Sequence, residues 1–378
     1  MGTGRLSLLV NLELLFFLGW DFYYLKGHRI FLMVPYLEGS QTILTFGGLF
    51  FYLGGMAFYY WTTSVRRGET LRMFQLVLPF LIPFFIFTVL IDLVFVVPNP
   101  LQVYLSSLQA WVVQIVLGVV SVLFLVLSMV FLPYFVQKIW RCASFENREL
   151  LHRLESLAKK AQFHHSGMKI WSVMNRSHTA AIIGIVPSFR YVMFTEKLLN
   201  YLAPEEVEAV LAHEIGHSKQ KHLMYYPFLM MGMLVFAGLV SMMVSEFLGD
   251  GQKWGEMYSL VYAIPYILAA GFYFRIVFGY FSRLFEREAD LYIFRLGMDP
   301  IYMIRALDHV GTATGGTHGV PCWHHYSIQN RIQFLQKAAE NPAIIEKHHL
   351  WVRWSLVVFF ICLAIASLTL VFLEAFPL

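Results

Sequence analysis

Seven apolar stretches dominate this sequence, at roughly 6–24, 40–62, 73–97, 111–135, 224–248, 258–280 and 352–373, each with few or no charges. A helix needs about 20 such residues to cross some 30 Å of hydrocarbon, so every one of them is long enough to span a bilayer with some tilt. A charged fraction of 14%, against about 25% in soluble domains, and a mean hydropathy of +0.60 point the same way. The expectation is an α-helical membrane protein with about seven transmembrane helices. The first stretch is expected to be a retained span, because it lacks a small-residue cleavage site and runs into the bulky "WDFYYLKGHRI".

Two polar segments, roughly 137–222 and 282–350, leave room for a folded domain outside the bilayer. Four spans precede the first and two separate it from the second, so both emerge on one side. The chain thereby divides into an N-terminal membrane region with four spans (1–136), the first part of a domain (137–222), two transmembrane helices (223–281), the rest of the domain (282–350) and a C-terminal transmembrane helix (351–378). The loop "SVRRGETLR" at 64–72 falls on the domain's side and sets Arg66, Arg67 and Arg72 against Glu69. The opposite side receives the uncharged "PNPLQVYLSSLQA" and the slightly acidic "GDGQKWGEM". Positively charged loops stay inside, which puts the domain in the cytoplasm, at the inner membrane if the cell is bacterial. Lys26 and Arg29 run against this orientation.

Within the domain, "KIWSVM", "TAAIIGI" and the start of "YVMFTEKLL" carry the apolar, β-branched character of short strands. "APEEVEAVLAHEIGHSKQKH" has helix punctuation: Pro204 to open it, Glu205 and Glu206 at the positive end, Lys219 and Lys221 at the other. The Gly-rich "GTATGGTHGVP" at 311–321 is expected to be a loop. A small α+β domain is implied. Cys142, Cys322 and Cys362 are widely separated, so neither a disulfide framework nor a thiolate metal site is expected.

The helix carries His213-Glu214-Ile215-Gly216-His217. Residues four apart share a helix face, so His213 and His217 can present ring nitrogens to one metal ion, and Glu214 can serve as general base. In a chain with 14 histidines a five-residue match also arises by chance, and a catalytic zinc needs a third protein ligand. A histidine six residues beyond His217 is ruled out, because that position is Leu223. Glu246 and Glu256 lie across or beyond the next span. After the following span returns the chain, it reads "SRLFEREADLYIFRLG". Glu286 and Asp290 lie one turn apart on one face, so Glu286 can ligate while Asp290 holds a ligating histidine from behind. Glu288 is about 200° around the helix from Glu286 and is expected to point elsewhere, with little lost on its removal.

These paired motifs, "EEVEAVLAHEIGH" and "SRLFEREAD" separated by two spans, resemble those of the integral-membrane zinc metallopeptidases that include the HtpX proteases and the CAAX prenyl proteases. The resemblance covers roughly residues 165–340 and implies a zincin-like domain and one Zn2+ per chain. It implies His213, His217 and Glu286 as metal ligands and Glu214 as the catalytic base. His325 and Arg331 in "HHYSIQNRI" match a late His-Pro…Arg-Ile motif, with Tyr326 in place of proline, and imply either contacts to substrate or transition state or a structural role. Thr179, Ala180 and Ala181 in "SHTAAIIG" stand where the family presents an edge strand to substrate, here without its usual asparagine. The implied partners are a protein or peptide substrate and the lipid bilayer, with no nucleic acid; oligomeric state stays open.

The substrate classes of that family are membrane-associated or misfolded proteins for its HtpX-like members and lipidated peptides for its CAAX-type members. The span layout here matches neither. A catalytically silent scaffold of the same fold and a hydrolase acting on lipid or a small molecule are the remaining alternatives. Glu13, Asp92 and Arg275 lie in or near spans, where a central charge costs about 2.5–3.5 kcal/mol on insertion scales. The pairs His164/His165 and His348/His349 are expected to be surface histidines.

Overall fold

The structure is a computed structural model that describes residues 40, 42, 67–95, 100–174, 177–248, 257–316, 318–320 and 325–375. The stretches at 6–24 and, apart from residues 40 and 42, at 40–62 lie outside the described residues, as does Glu13. Among the described residues five helices are long and apolar enough to cross a membrane: Leu78–Phe95, Trp111–Ile139, His222–Phe247, Ile264–Arg295 and Ala343–Phe372. They overlap the remaining five stretches read from the sequence, but the fourth runs on to Arg295 and the fifth begins at Ala343, beyond the bounds read there.

The chain forms two compact units, Met1–Cys142 and Ala143–Leu378. In the first, α1 (Arg67–Phe95), the short α2 (Pro100–Ser107) and α3 (Ala110–Ile139) follow one another. Phe87 of α1 packs on Phe124 of α3 with ring centroids 5.1 Å apart, and Trp140 Nε1 donates to the Gln75 carbonyl. Asp92 is not a free charge in its span: its carboxylate accepts from Ser40 Oγ at 2.6 Å and from the Thr42 N–H at 3.0 Å. Those bonds satisfy a group that would be costly bare in hydrocarbon.

The second unit opens with α4 (Arg148–Lys160), whose first turn is capped by the Asn147 side chain accepting from the Leu150 N–H. A three-stranded sheet follows, built from β1 (Gly167–Ile170), β2 (Ala180–Ile183) and β3 (Tyr191–Phe194) in the order β1-β3-β2. β3 is parallel to β1 and antiparallel to β2. All four residues of β3 are buried, as the central position and its wholly apolar sequence require. β1 begins earlier than "KIWSVM" suggested and ends at Ile170, short of the Trp171–Met174 turn.

Helices α5 (Glu196–Tyr201) and α6 (Pro204–Lys219) come next. Pro204 occupies the first turn of α6, where no N–H is needed, and the Glu206 carboxylate folds back to accept from the Ala203 N–H at 3.0 Å. The apolar side of α6 (Val207, Leu211, Ala212, Ile215) shares a core with Leu150, Leu154 and Leu157 of α4 and with Val192 and Phe194 of β3. The long apolar helices α7 (His222–Leu248) and α8 (Met257–Tyr273) then run out from the sheet-bearing segment.

From α8 the chain continues through a π turn, Phe274–Phe278, into α9 (Gly279–Asp290). Such turns are uncommon and often adjoin functional sites; Arg275 sits within it and is exposed. The short α10 (Tyr292–Arg295), then α11 (Pro300–Ala313), α12 (Ile328–Glu340) and α13 (Ala343–Ala375) complete the unit. The Gly-rich segment is only partly a loop, because α11 extends through its first three residues to Ala313 before Gly315 and Gly316 adopt positive φ.

Candidate metal centre

Close approach of α6 and α9 creates the site. Gly216, inside the HExxH run, lies so near α9 that a Cβ added there would stand 2.8 Å from Tyr292 Cβ and 3.0 Å from Ala289 Cα. Only a residue without a side chain admits this contact. Small faces at Gly216 and Ala289 therefore let the backbones approach, and the polar residues flanking them on each helix meet.

His213, His217 and Glu286 meet there: one ligand atom from each lies within 4.8 Å of the others. The two Nε2 atoms are 3.2 Å apart; Glu286 Oε2 is 3.7 Å from His213 Nε2, and Glu286 Oε1 is 3.3 Å from His217 Nε2. Ligand atoms at about 2.0–2.1 Å from a tetrahedral zinc are separated by roughly 3.3 Å. The donor set of two imidazoles and a carboxylate thus fits that ion in both chemistry and spacing. Nothing else in the chain forms such a group among the described residues.

Behind the three donors stands a tight ion-pair network. Asp290, 1% exposed, approaches His213 Nδ1 to 2.9 Å through Oδ1. Arg331, in the first turn of α12, grips Asp290 with two bonds, Nη2 to Oδ1 at 2.6 Å and Nε to Oδ2 at 2.8 Å, and reaches Glu286 Oε2 at 3.4 Å. Burial would weaken the charge on Arg331, but Asp290 outweighs it and holds the guanidinium firmly protonated. His325 Nδ1 lies 3.2 Å from Glu286 Oε2 with 39% of its side chain exposed, whereas Arg331 is committed to the carboxylates. Tyr326 is covered by the Arg287 guanidinium, 3.7 Å from its ring centroid, and Phe334 flanks the same cation at 4.5 Å. This stack ties the segment bearing His325 to α9 by a cation–π contact.

Glu214 lies next to His213 on α6 and is half-buried. Withdrawal from water raises its carboxyl above the ordinary range, opposed by the charges of His213 and His217. Thr179, Ala180 and Ala181 lie at the sheet's edge: Ala180 and Ala181 belong to β2, and Thr179 just before it donates its N–H to Thr195 Oγ1 at 3.1 Å. Among the described residues, no further strand of this sheet lies on the side of β2 away from β3.

Two sequence readings require correction. Glu288 does point away from the His213/His217 pair, but into the interior, where it is 5% exposed and bound by His222 Nε2 at 2.9 Å and His349 Nδ1 at 2.6 Å. Its removal strands the buried His222 and the half-buried His349 and is expected to cost stability. His348 and His349 are not surface histidines either, since His348 is buried with Nε2 3.1 Å from the Leu284 carbonyl, and His349 holds Glu288. His222 was missed altogether. The available signal was a histidine five residues beyond His217, at the end of the same polar run.

The sequence profile of peptidase family M48 matches residues 144–339, more than half of the chain. A protease HtpX homolog from Aeropyrum pernix is 31% identical over 199 residues, which cover 49% of this chain and 59% of that protein. CAAX prenyl protease 1 from Saccharomyces cerevisiae is 32% identical over 117 residues, covering 30% of this chain and 25% of that protein. The chain thus spans less than two thirds of the length of these curated relatives. The crystal structure of S. mikatae Ste24p has a similar fold, with a TM-score of 0.53 at 18% identity over 85% of this chain and 82% of that one. With five long apolar helices among the described residues, these likenesses make this a multi-pass membrane protein. The chain belongs to peptidase family M48.

Proposed function

We propose that this protein is a membrane-embedded zinc endopeptidase that cleaves membrane-associated or misfolded proteins, with seven spans and a zincin-like domain, divided as read from the sequence, facing the cytoplasm. The convergence of His213, His217 and Glu286 at the spacing of zinc ligands carries this reading. Those three side chains would hold the ion. Zinc, when bound, supplies Lewis acidity, polarising the scissile carbonyl and bringing the pKa of a water toward about 7. Glu214 takes the proton from the attacking water and returns it to the leaving amine; a raised carboxyl pKa suits a group that must both accept and donate. Asp290, 2.9 Å from His213 Nδ1, favours the His213 tautomer that carries its proton on that nitrogen, and Arg331 holds Asp290 in place. His325, 39% exposed beside Glu286, contacts substrate. The open side of β2 at Thr179–Ala181 accepts the substrate as an added strand, which also excludes water from the scissile bond.

Zinc content and cleavage are measured on purified full-length protein. Glu214→Gln keeps stoichiometric zinc and loses cleavage of an unfolded protein substrate, while Glu286→Ala loses the metal. Undiminished cleavage by Glu214→Gln sinks the mechanism. A farnesylated CAAX peptide assayed beside the unfolded protein separates the two substrate classes, and cleavage of neither substrate by the zinc-loaded protein favours the silent scaffold.

A further inference from the structure

We propose that His222 and Glu288 form a relay that orients the ring of His217 and thereby sets the affinity of the metal centre. The inference rests on the reading of His213, His217 and Glu286 as zinc ligands. His217 turns Nε2 toward His213 and Glu286, which leaves Nδ1 facing backwards. There it meets His222 Nδ1 at 2.9 Å. Two ring nitrogens at that distance need one hydrogen between them, so one donates and the other accepts. On the far side of its ring, His222 Nε2 lies 2.9 Å from Glu288 Oε2, an acceptor. A neutral His222 therefore carries its hydrogen on Nε2, donates to Glu288, and offers Nδ1 as acceptor to the Nδ1–H of His217. One arrangement of hydrogens satisfies every member of the row, and it leaves the lone pair of His217 Nε2 free for a metal.

The two ligand histidines are thus held differently. His213 faces a carboxylate directly, through Asp290; His217 faces one through an intervening imidazole. The fold fixes that imidazole tightly. Lys221, with φ at +61°, occupies the left-handed region that residues with side chains seldom adopt, and this reversal turns His222 back beneath His217. His222 is 1% exposed and stacks on Phe285, with centroids 4.3 Å apart and planes 12° from parallel. Glu288 is held from its other side by His349 of α13, so the last long helix of the chain anchors the row.

The test is zinc affinity of the full-length protein in detergent, stripped of metal and titrated against a chromophoric chelator, with the melting temperature of the metal-free form recorded alongside. His222→Phe keeps a flat ring on Phe285 but loses both nitrogens, and is expected to bind zinc about 10–100-fold more weakly. His222→Gln supplies a carbonyl acceptor and an amide donor and is expected to recover most of that loss. Glu288→Gln keeps shape and hydrogen bonding without the charge and is expected to fall between them. Wild-type affinity in His222→Phe overturns the relay. So does a loss in His222→Gln equal to that in His222→Phe, because packing alone then explains both. Should His222→Phe fail to fold, the nearly isosteric Glu288→Gln decides: unchanged zinc affinity overturns the proposal. If wild type binds no zinc, or if Glu286→Ala binds it as well as wild type, the metal-centre reading itself falls and the relay with it.

Discussion

Replacing Arg331 by methionine exposes how the site is held together. Its side chain is only 11% exposed, it makes two charge-assisted bonds to Asp290, and it lies 3.4 Å from Glu286. Arg331→Met fills a similar volume but leaves two buried carboxylates without their cation. Breaking one partner out of a buried pair costs about 3–5 kcal/mol, mostly as the penalty of the stranded charge. For a unit of roughly 150–250 residues each kcal/mol moves the melting temperature by about 2–4 °C, so the metal-free variant should melt at least about 6 °C lower. Its zinc affinity should fall with it, because Asp290 no longer orients His213. Asp290→Asn combined with Arg331→Met removes both charges of the pair and should be less destabilised than the two single changes summed, by about 0.5–3 kcal/mol. Thermal unfolding of the four forms in one detergent measures this. Additivity within about 0.5 kcal/mol, or an Arg331→Met protein that melts like wild type, would refute the assignment of Arg331 as the clamp on Asp290.

Three further outcomes are expected. Gly216→Ala drives a methyl into Tyr292 and Ala289, so it should cost about 1–3 kcal/mol by overpacking and weaken zinc binding by separating α6 from α9, as melting and metal titration will register. Burial raises the native pKa of Glu214, so the folded state binds this proton more tightly than the unfolded chain does. Its contribution to stability is therefore lost as pH rises from the ordinary carboxylate value through the raised one. Glu214→Gln should accordingly raise the melting temperature of the metal-free protein at pH 7, with a gain that fades toward acid pH; a lower melting temperature at pH 7 contradicts this. For orientation, a cysteine replacing Gly251 in a background without Cys142, Cys322 and Cys362 should react with an impermeant reagent from outside. One replacing Gly68 should react only after the membrane is opened, and the reverse pattern would put the domain outside.

The sequence by itself determined what local periodicity can encode. Apolar runs of about 20 residues can satisfy their backbone in lipid only as helices, and five of the seven overlap long apolar helices in the described residues. Four-residue spacing put His213 beside His217, and Glu286 on one face with Asp290, because a helix repeats every 3.6 residues whatever surrounds it. Tertiary structure alone decided what those faces meet. The bare backbone at Gly216 lets α6 and α9 close until three ligand atoms from two helices lie within 4.8 Å. The fate of Glu288 follows the same logic: its angle around α9 was legible, but burial against His222 and His349 depends on α7 and α13, which are distant in sequence. A helix period tells a side chain which way to leave its own axis. Which partner waits there, and whether water does instead, is set by packing between elements far apart in the chain.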